Sequence, residues 1–254
     1  MTDAGRALPR LLSVVVPVRD EEASIDALLL ELDAALTGFA AERGIGLEWI
    51  LVDDASRDAS LARMREWERK DERLRVVALA AHAGQASALG AGFRAARGDA
   101  IATLDADGQN DPADLPRLVE RLAEGDADAV CGVRATRRDG AWRRLSSRAA
   151  NAARRAVLGD AHRDIGCALR VVRARHARAL ALRRGLHRFL PVLLALEGAR
   201  VVELPVAHRP RRFGASKYTA RNRVREALVD LVYVARRQRR ARRERARDAG
   251  APSA

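Results

Sequence analysis

Gly98-Asp99-Ala100-Ile101-Ala102-Thr103-Leu104-Asp105-Ala106-Asp107-Gly108-Gln109 compresses one repeating unit of the fold. Gly98 closes the helical pattern that runs from Gln85 to Arg97. Ala100 to Leu104 is an apolar run of strand length, and it ends in carboxylates. The same alternation extends in both directions. Upstream, Leu11-Leu-Ser-Val-Val-Val-Pro17 reads as a buried strand rich in β-branched residues and stopped by proline. A helix is expected over Asp20 to Arg43, with acids in its first turn, then a strand at Trp49 to Asp53. A helix from about Asp58 and a strand at Arg75 to Leu79 follow. Downstream, Asp111-Pro112 marks a helix start, aspartate as N-cap and proline at the first helical position. Ala127 to Val133 gives one more strand.

This regularity predicts an α/β domain, a mostly parallel Rossmann-like sheet with helices on both faces. Ligands of such sheets bind beyond the carboxyl ends of the strands. Here those ends carry Pro17 to Glu22, Asp53-Asp54 and Asp105 to Gln109, so acids gather on one rim of a chain whose formal charge is +13. The second half is less regular. It offers an arginine-studded helix at Ala141 to Leu158, strands at Cys167 to Val172 and Arg200 to Val206, and a helix at Leu186 to Leu196. A Pro-, Gly- and Arg-rich loop covers His208 to Lys217, and a last amphipathic helix runs from about Thr219 to Arg247. One face of that helix carries Val224, Leu228, Leu231, Val232 and Ala235. The organisation expected is residues 1–218 as one α/β domain and 219–254 as an amphipathic, Arg-rich helix and tail.

The 254 residues, 48% apolar and 32% charged, are enough for a globular core. Of the 47 basic residues only Lys70 and Lys217 are lysine, a bias that GC-rich coding accounts for in most of the arginines. Arg236 to Arg247 holds eight arginines and one glutamate, a net +7, which leaves +6 for the rest of the chain. The longest apolar run, Phe189 to Leu196, is far below the roughly 20 residues that span a bilayer. The N-terminus lacks the pattern of a secretory signal, and two cysteines, Cys131 and Cys167, make neither a disulfide scaffold nor a metal spacing. Buried free thiols in a reduced cytoplasmic setting are expected.

Asp105-Ala106-Asp107-Gly108-Gln109 brings two carboxylates and an amide oxygen together, hard oxygen ligands suited to Mg2+ or Mn2+. An acidic turn in which Asp105 caps the next element is the competing reading. Asp53-Asp54 alone reads as a turn capping the helix at Asp58. No G-x-G-x-x-G and no P-loop occurs, and the expected role of Gly84, Gly90 and Gly92 is close packing of a helix on the sheet. Gly214-Ala-Ser216-Lys217-Tyr218 places a rare lysine in a flexible loop able to close on a diphosphate. The five histidines (82, 162, 176, 187 and 208) show no metal spacing and read as structural or surface residues.

Taken in order, Pro17-Val-Arg-Asp-Glu21-Glu22, Val52-Asp53-Asp54-Ala-Ser56, Asp105-Ala-Asp107-Gly-Gln109, Arg163-Asp164-Ile-Gly166-Cys-Ala-Leu-Arg170 and Gly214-Ala-Ser-Lys217 resemble family 2 glycosyltransferases. The nearest branch is the dolichol-phosphate mannose synthase and polyprenyl-phosphate glycosyltransferase group, over roughly residues 11 to 223. The resemblance implies a glycosyltransferase A-type fold. It implies donor-binding roles for Pro17, Arg19, Glu21, Val52, Asp54, Asp105, Ala106, Asp107, Arg211 and Lys217. It places the metal, Mg2+ or Mn2+, on Asp105, Asp107 and Gln109, and the acceptor phosphate on Arg134 and Arg148. Asp107 and Asp164 take the catalytic positions, Asp164 as base or orienting group. Asp20 departs from the asparagine usual before the first glutamate.

The implied activity is inverting transfer of a hexose from GDP-mannose or a UDP-hexose to a polyprenyl phosphate at the inner face of the cell membrane. The arginine block is expected to contact an anionic membrane surface, about 1 kcal/mol per arginine, with a solvated, frayed tail as the competing reading. The competing readings are a family 2 transferase acting on a sugar hydroxyl, a basic nucleic-acid-binding protein, and a non-catalytic membrane-associated protein. Few aromatics and an acidic rim argue against nucleic acid as a partner.

Overall fold

The computed structural model describes residues 7–134, 152, 154–182, 185–211 and 229–241. β1 (Leu11–Val18) is an interior strand of the sheet, buried along nearly its whole length. Leu12, Val14, Val16 and Val18 point into the core shared with Leu28, Leu32 and Leu36 of α1 and Leu115, Leu118 and Leu122 of α4, as the two-residue period of a strand requires. β2 (Gly46–Asp53), β3 (Leu74–Ala78) and β4 (Ala100–Thr103) run parallel to it. β5 (Ala129–Arg134), β6 (Arg170–Arg173) and β7 (Val201–Val206) complete a seven-stranded sheet of order β3-β2-β1-β4-β6-β5-β7. β6 is antiparallel to both β4 and β5, and β5 and β7 are parallel. The order reverses between β1 and β4, the switch point at which a parallel sheet opens a crevice.

The helices are α1 (Ile25–Arg43), α2 (Ser60–Glu68), α3 (Gln85–Ala95), α4 (Leu115–Ala123), α5 over residues 154–158, α6 (Ala174–Ala179), α7 (Leu190–Leu196) and α8 over residues 229–241. α1 starts at Ile25, later than its acidic lead-in suggests, because Asp20 and Glu22 direct their carboxylates to the neighbouring loop instead. Asp111 caps as expected: its carboxylate accepts from Ala113 N at 3.0 Å, and Pro112–Asp114 forms a 3-10 turn leading into α4. α6 was not anticipated; its six residues are too few for a helical period to declare itself.

The chain falls into two compact units, Met1–Arg137 with Asp164–Ala215, and Arg138–Arg163 with Ser216–Ala254. The first holds the sheet. In the second, Gln238 Nε2 donates to the Leu158 carbonyl at 2.8 Å and Arg154 pairs with Asp160 at 3.2 Å. The apolar face expected of the last helix is divided. Val234 and Ala235 are buried, whereas Val229, Val232 and Tyr233 are exposed; Val224 and Leu228 lie outside the described residues. Among the described residues no helix is long and apolar enough to cross a membrane. Both cysteines are buried thiols, and burial pushes Cys131 up to about 12.

α3 lies so close to the sheet that a Cβ on Gly92 would come within 2.2 Å of Val15 Cγ1 and 3.1 Å of Val52 Cγ2. On Gly90 it would meet only ordinary contacts, at 3.5 and 3.6 Å. Gly92→Ala is therefore expected to cost about 1–3 kcal/mol by overpacking. Gly90→Ala, gaining helix propensity, should be neutral or stabilising by up to about 1 kcal/mol. Urea unfolding of the two variants reads the difference; equal stabilities would contradict the close approach.

Candidate functional site

The carboxyl ends of β1, β2 and β4 meet at the crevice, and their loops are tied together by side chains that sequence spacing alone does not connect. The β1 loop and the β2 loop clasp each other. Asp20 N donates to Ser56 Oγ (3.0 Å) and Arg57 N to Asp20 Oδ1 (2.7 Å). Glu21 N donates to Ser60 Oγ (2.8 Å), Glu22 N to Asp58 Oδ2 (3.2 Å) and Ala59 N to Glu22 Oε2 (2.7 Å). Asp20 and Ala55 adopt left-handed backbone, φ 46° and 55°. Aspartate and asparagine are the side-chain-bearing residues that tolerate this conformation best, so Asp20 fills the position in the same way an asparagine would.

Pro17 and Val52 are neighbours in the β1–β2 ladder, Val52 fully buried. Arg19 Nη1 donates to the Asp54 carbonyl at 3.1 Å. The Asp54 carboxylate is buried and does not cap α2. It accepts from Ala83 N (2.7 Å) and Gly84 N (2.9 Å), and lies 2.8 Å from His82 Nδ1. Gly84, at φ 88°, turns this segment into α3. The next residue, Gln85, donates from Nε2 to Asp105 Oδ1 at 2.6 Å. Residues 82–85 thus bridge the carboxylate at the end of β2 to the one past β4.

Past β4 the chain turns rather than continuing extended. Asp105 N donates to Asn110 Oδ1, Gln109 N to Asp107 Oδ1, and Ala106 is buried between the two acids. Desolvation, then the neighbouring charge of Asp107, pushes the Asp105 carboxyl up to about 6, against the opposing pull of Arg170, Arg134 and Arg211. Arg211 Nη2 lies 2.6 Å from Asp107 Oδ2 and its Nη1 3.8 Å from Glu21 Oε1. The Arg211 segment is anchored by Arg209 N donating to the Gln109 carbonyl at 2.9 Å and by a bridge between Asn110 and His208.

Arg134, at the end of β5, forms a bidentate pair with Asp164: Nε to Oδ2 and Nη2 to Oδ1, both 2.7 Å. Asp164 Oδ1 also accepts from Gly166 N at 3.2 Å. Arg170 is buried, its Nη2 donating to the Ile165 carbonyl. The structure therefore brings together Arg19, Glu21, Asp54, Asp105, Asp107 and Arg211 on one rim, with Arg134 and Asp164 paired within electrostatic reach of Asp105. Arg148 and Lys217 lie outside the described residues. Sequence reading gave no role to His82, Gln85, Asn110 and Arg170; the partners of His82 and Gln85 lie 28 and 20 residues away, and those of Asn110 and Arg170 are backbone groups five residues away.

Among the described residues no group of three or more His, Cys, Asp or Glu side chains is arranged to hold a metal ion. Two carboxylates and an amide nonetheless fit a divalent cation that completes its shell with phosphate oxygens and water. Burial first, and the charge of Asp107 second, raise Asp105, and a cation between the two carboxylates would offset both. An aspartate raised from 3.8 to about 6 binds its extra proton in the native state across that window. The contribution of Asp105 to stability therefore falls as pH rises from about 4 to about 6 and stays lower above it. Without metal, Asp105→Asn should be more stable near pH 7.5, by at most about 3 kcal/mol, and the gain should vanish near pH 4. Urea unfolding at both pH values tests this; a pH-independent difference would refute it.

Residues 13–181 match the family model described as glycosyl transferase family 2. The chain is 43% identical over 223 residues to an undecaprenyl-phosphate 4-deoxy-4-formamido-L-arabinose transferase of Pseudomonas aeruginosa, covering 87% of this chain and 64% of that protein. It is 37% identical over 227 residues to a dodecaprenyl-phosphate galacturonate synthase of Rhizobium johnstonii, covering 88% and 66%. It thus spans somewhat less than two thirds of the length of either relative. Among solved structures, a mannosyltransferase from Pyrobaculum calidifontis in complex with GDP-Man and Mn2+ superposes with a TM-score of 0.66 at 22% identity, covering 91% of this chain and 65% of that one. Glucosyl-3-phosphoglycerate synthase from Mycobacterium tuberculosis, with Mn2+ and UDP, gives 0.66 at 21% identity, covering 90% and 80%. The fold is the glycosyltransferase A type anticipated from the motifs.

Proposed function

Because the chain belongs to glycosyl transferase family 2, we propose that it transfers a sugar from a nucleotide sugar, GDP-mannose or a UDP-hexose, to a polyprenyl phosphate. The observation that carries this reading is the rim itself. Asp105 and Asp107 face Arg211 across the switch-point crevice, with Arg134 within electrostatic reach, one acidic pair among cations suited to phosphate. The prenyl-phosphate acceptors in the names of both relatives support the acceptor class.

In this reading Asp54 and the clasped loops around Arg19 and Glu21 enclose the nucleoside, with Pro17 at its floor and the fully buried Val52 supporting it from beneath. Asp105, Asp107 and Gln109 hold Mg2+ or Mn2+, the ion carried by the solved neighbours. Bound there, the ion neutralises charge on the departing diphosphate. Arg211, pivoting from Asp107, and Lys217 close on the same diphosphate. Arg134 receives the acceptor phosphate with Arg148, and Asp164 orients it through the bidentate pair. The nucleophile, a phosphate monoester with a second pKa near 6, is largely ionised at neutral pH and attacks in line with inversion. Proton abstraction by Asp164 would break its pair with Arg134. A sugar hydroxyl acceptor, which needs a base, is therefore the weaker reading.

Residues 1–218 carry this chemistry, and 219–254 hold the protein peripherally at the anionic inner face of the cell membrane. Exposed Val229, Val232 and Tyr233, followed by Arg236, Arg237, Arg239 and Arg240, support that placement. The direct test incubates the full chain and Mn2+ or Mg2+ with polyprenyl phosphate and a panel of UDP- and GDP-sugars. A metal-dependent lipid-linked sugar is expected by mass spectrometry; no product from any donor would refute the reading. Asp107→Ala should lower turnover at least about 1,000-fold. Truncation before Arg236 should weaken sedimentation with phosphatidylserine vesicles while the unfolding transition is retained. Unchanged sedimentation would remove the membrane role of the tail.

A further inference from the structure

We infer that His82, held by Asp54, is a binding residue of the donor pocket that contacts the nucleoside itself. The inference rests on the reading of the crevice as a nucleotide-sugar site. Asp54 is buried, its side chain only 5% exposed, while the His82 ring that it holds through Nδ1 is 47% exposed. Where Nδ1–H donates to that carboxylate, the neutral tautomer of the ring presents Nε2 as an acceptor. Nε2 makes no further hydrogen bond among the described residues.

The ring does not stand on a free loop. Ala83 N and Gly84 N also donate to Asp54, so the backbone on the far side of His82 is fixed to the same carboxylate. Three residues on, Gln85 grips Asp105. The segment therefore has its diphosphate end set by Gln85 and its opposite end set by Asp54, and His82 stands at that opposite end. An oriented acceptor there fits a donor on the nucleoside, the imide N–H of uracil or guanine or a ribose hydroxyl. It has nothing to offer a pyrophosphate. Asp54 thus acts twice, shaping the loop and fixing the tautomer of the ring.

Titration calorimetry with Mn2+ present, using UDP, GDP and inorganic pyrophosphate as probes, separates the possibilities. Wild type should bind at least one nucleotide. His82→Ala should weaken that nucleotide about 5- to 10-fold, the scale of one hydrogen bond, and leave pyrophosphate unchanged. His82→Asn, whose amide oxygen is again an acceptor, should recover part of the loss. Equal nucleotide affinity in wild type and His82→Ala would overturn the inference while leaving the proposed function standing. So would an equal loss for pyrophosphate, which would mark a loop effect instead. If wild type binds neither nucleotide, the donor-site reading falls and the inference with it.

Discussion

Two carboxylates cannot sit side by side at the dehydrated end of a strand without cations to balance them. The loops past β4 are arranged around that constraint. Asp105 is held by an amide, Gln85, and surrounded at electrostatic range by Arg134, Arg170 and Arg211. Asp107 is paired directly with Arg211. Each cation comes from a different place in the chain, so balancing one acidic pair fixes where the ends of β5, β6 and the segment after β7 must lie. β5, β6 and the segment after β7 are thereby coupled to the turn that carries Asp105 and Asp107.

The left half of the sheet was legible because it is local. β1, β2 and β4 are apolar runs bounded by glycine, proline or acids, and the helices between them keep the helical period. The antiparallel β6 was not legible as such. A strand of four residues carries no sign of direction, and its partners Thr103 and Cys131 lie far away in sequence. The site shows the same division. Asp105 and Asp107 declared themselves by spacing, and Asp54 by its place at a strand end. What Asp54 does could not be read, because its partners are backbone amides of residues 83 and 84. Histidine spacing in a sequence signals shared metals, not the carboxylate partner that His82 has in Asp54. The bidentate pair of Arg134 and Asp164 links two residues whose roles had been assigned independently.

The arginine excess also acquires a structural meaning beyond coding bias. Arg178 Nη2 donates to the carbonyls of Ala96 and Gly98, Arg75 to that of Ala95, Arg200 to that of Gly125 and Arg173 to that of Leu122. These carbonyls follow or close α3 and α4, where the helix leaves acceptors unpaired. A guanidinium serves several such oxygens at once with its fixed fork of donors, which an ammonium on a flexible stem does less well. Part of the arginine content outside the C-terminal block thus serves carbonyls at helix ends and carboxylates such as Asp128.

The clasp between the β1 and β2 loops bears on how this pocket can change over evolution. Five hydrogen bonds pass between residues 20–22 and residues 56–60, in both directions, and two of the residues at its edges sit in left-handed backbone. Neither loop can be exchanged alone without stranding donors of the other. New donor preferences should therefore arise through paired replacements in both loops, or through single changes at positions outside the clasp. The two loops form one heritable module, although a whole helix separates them in the chain.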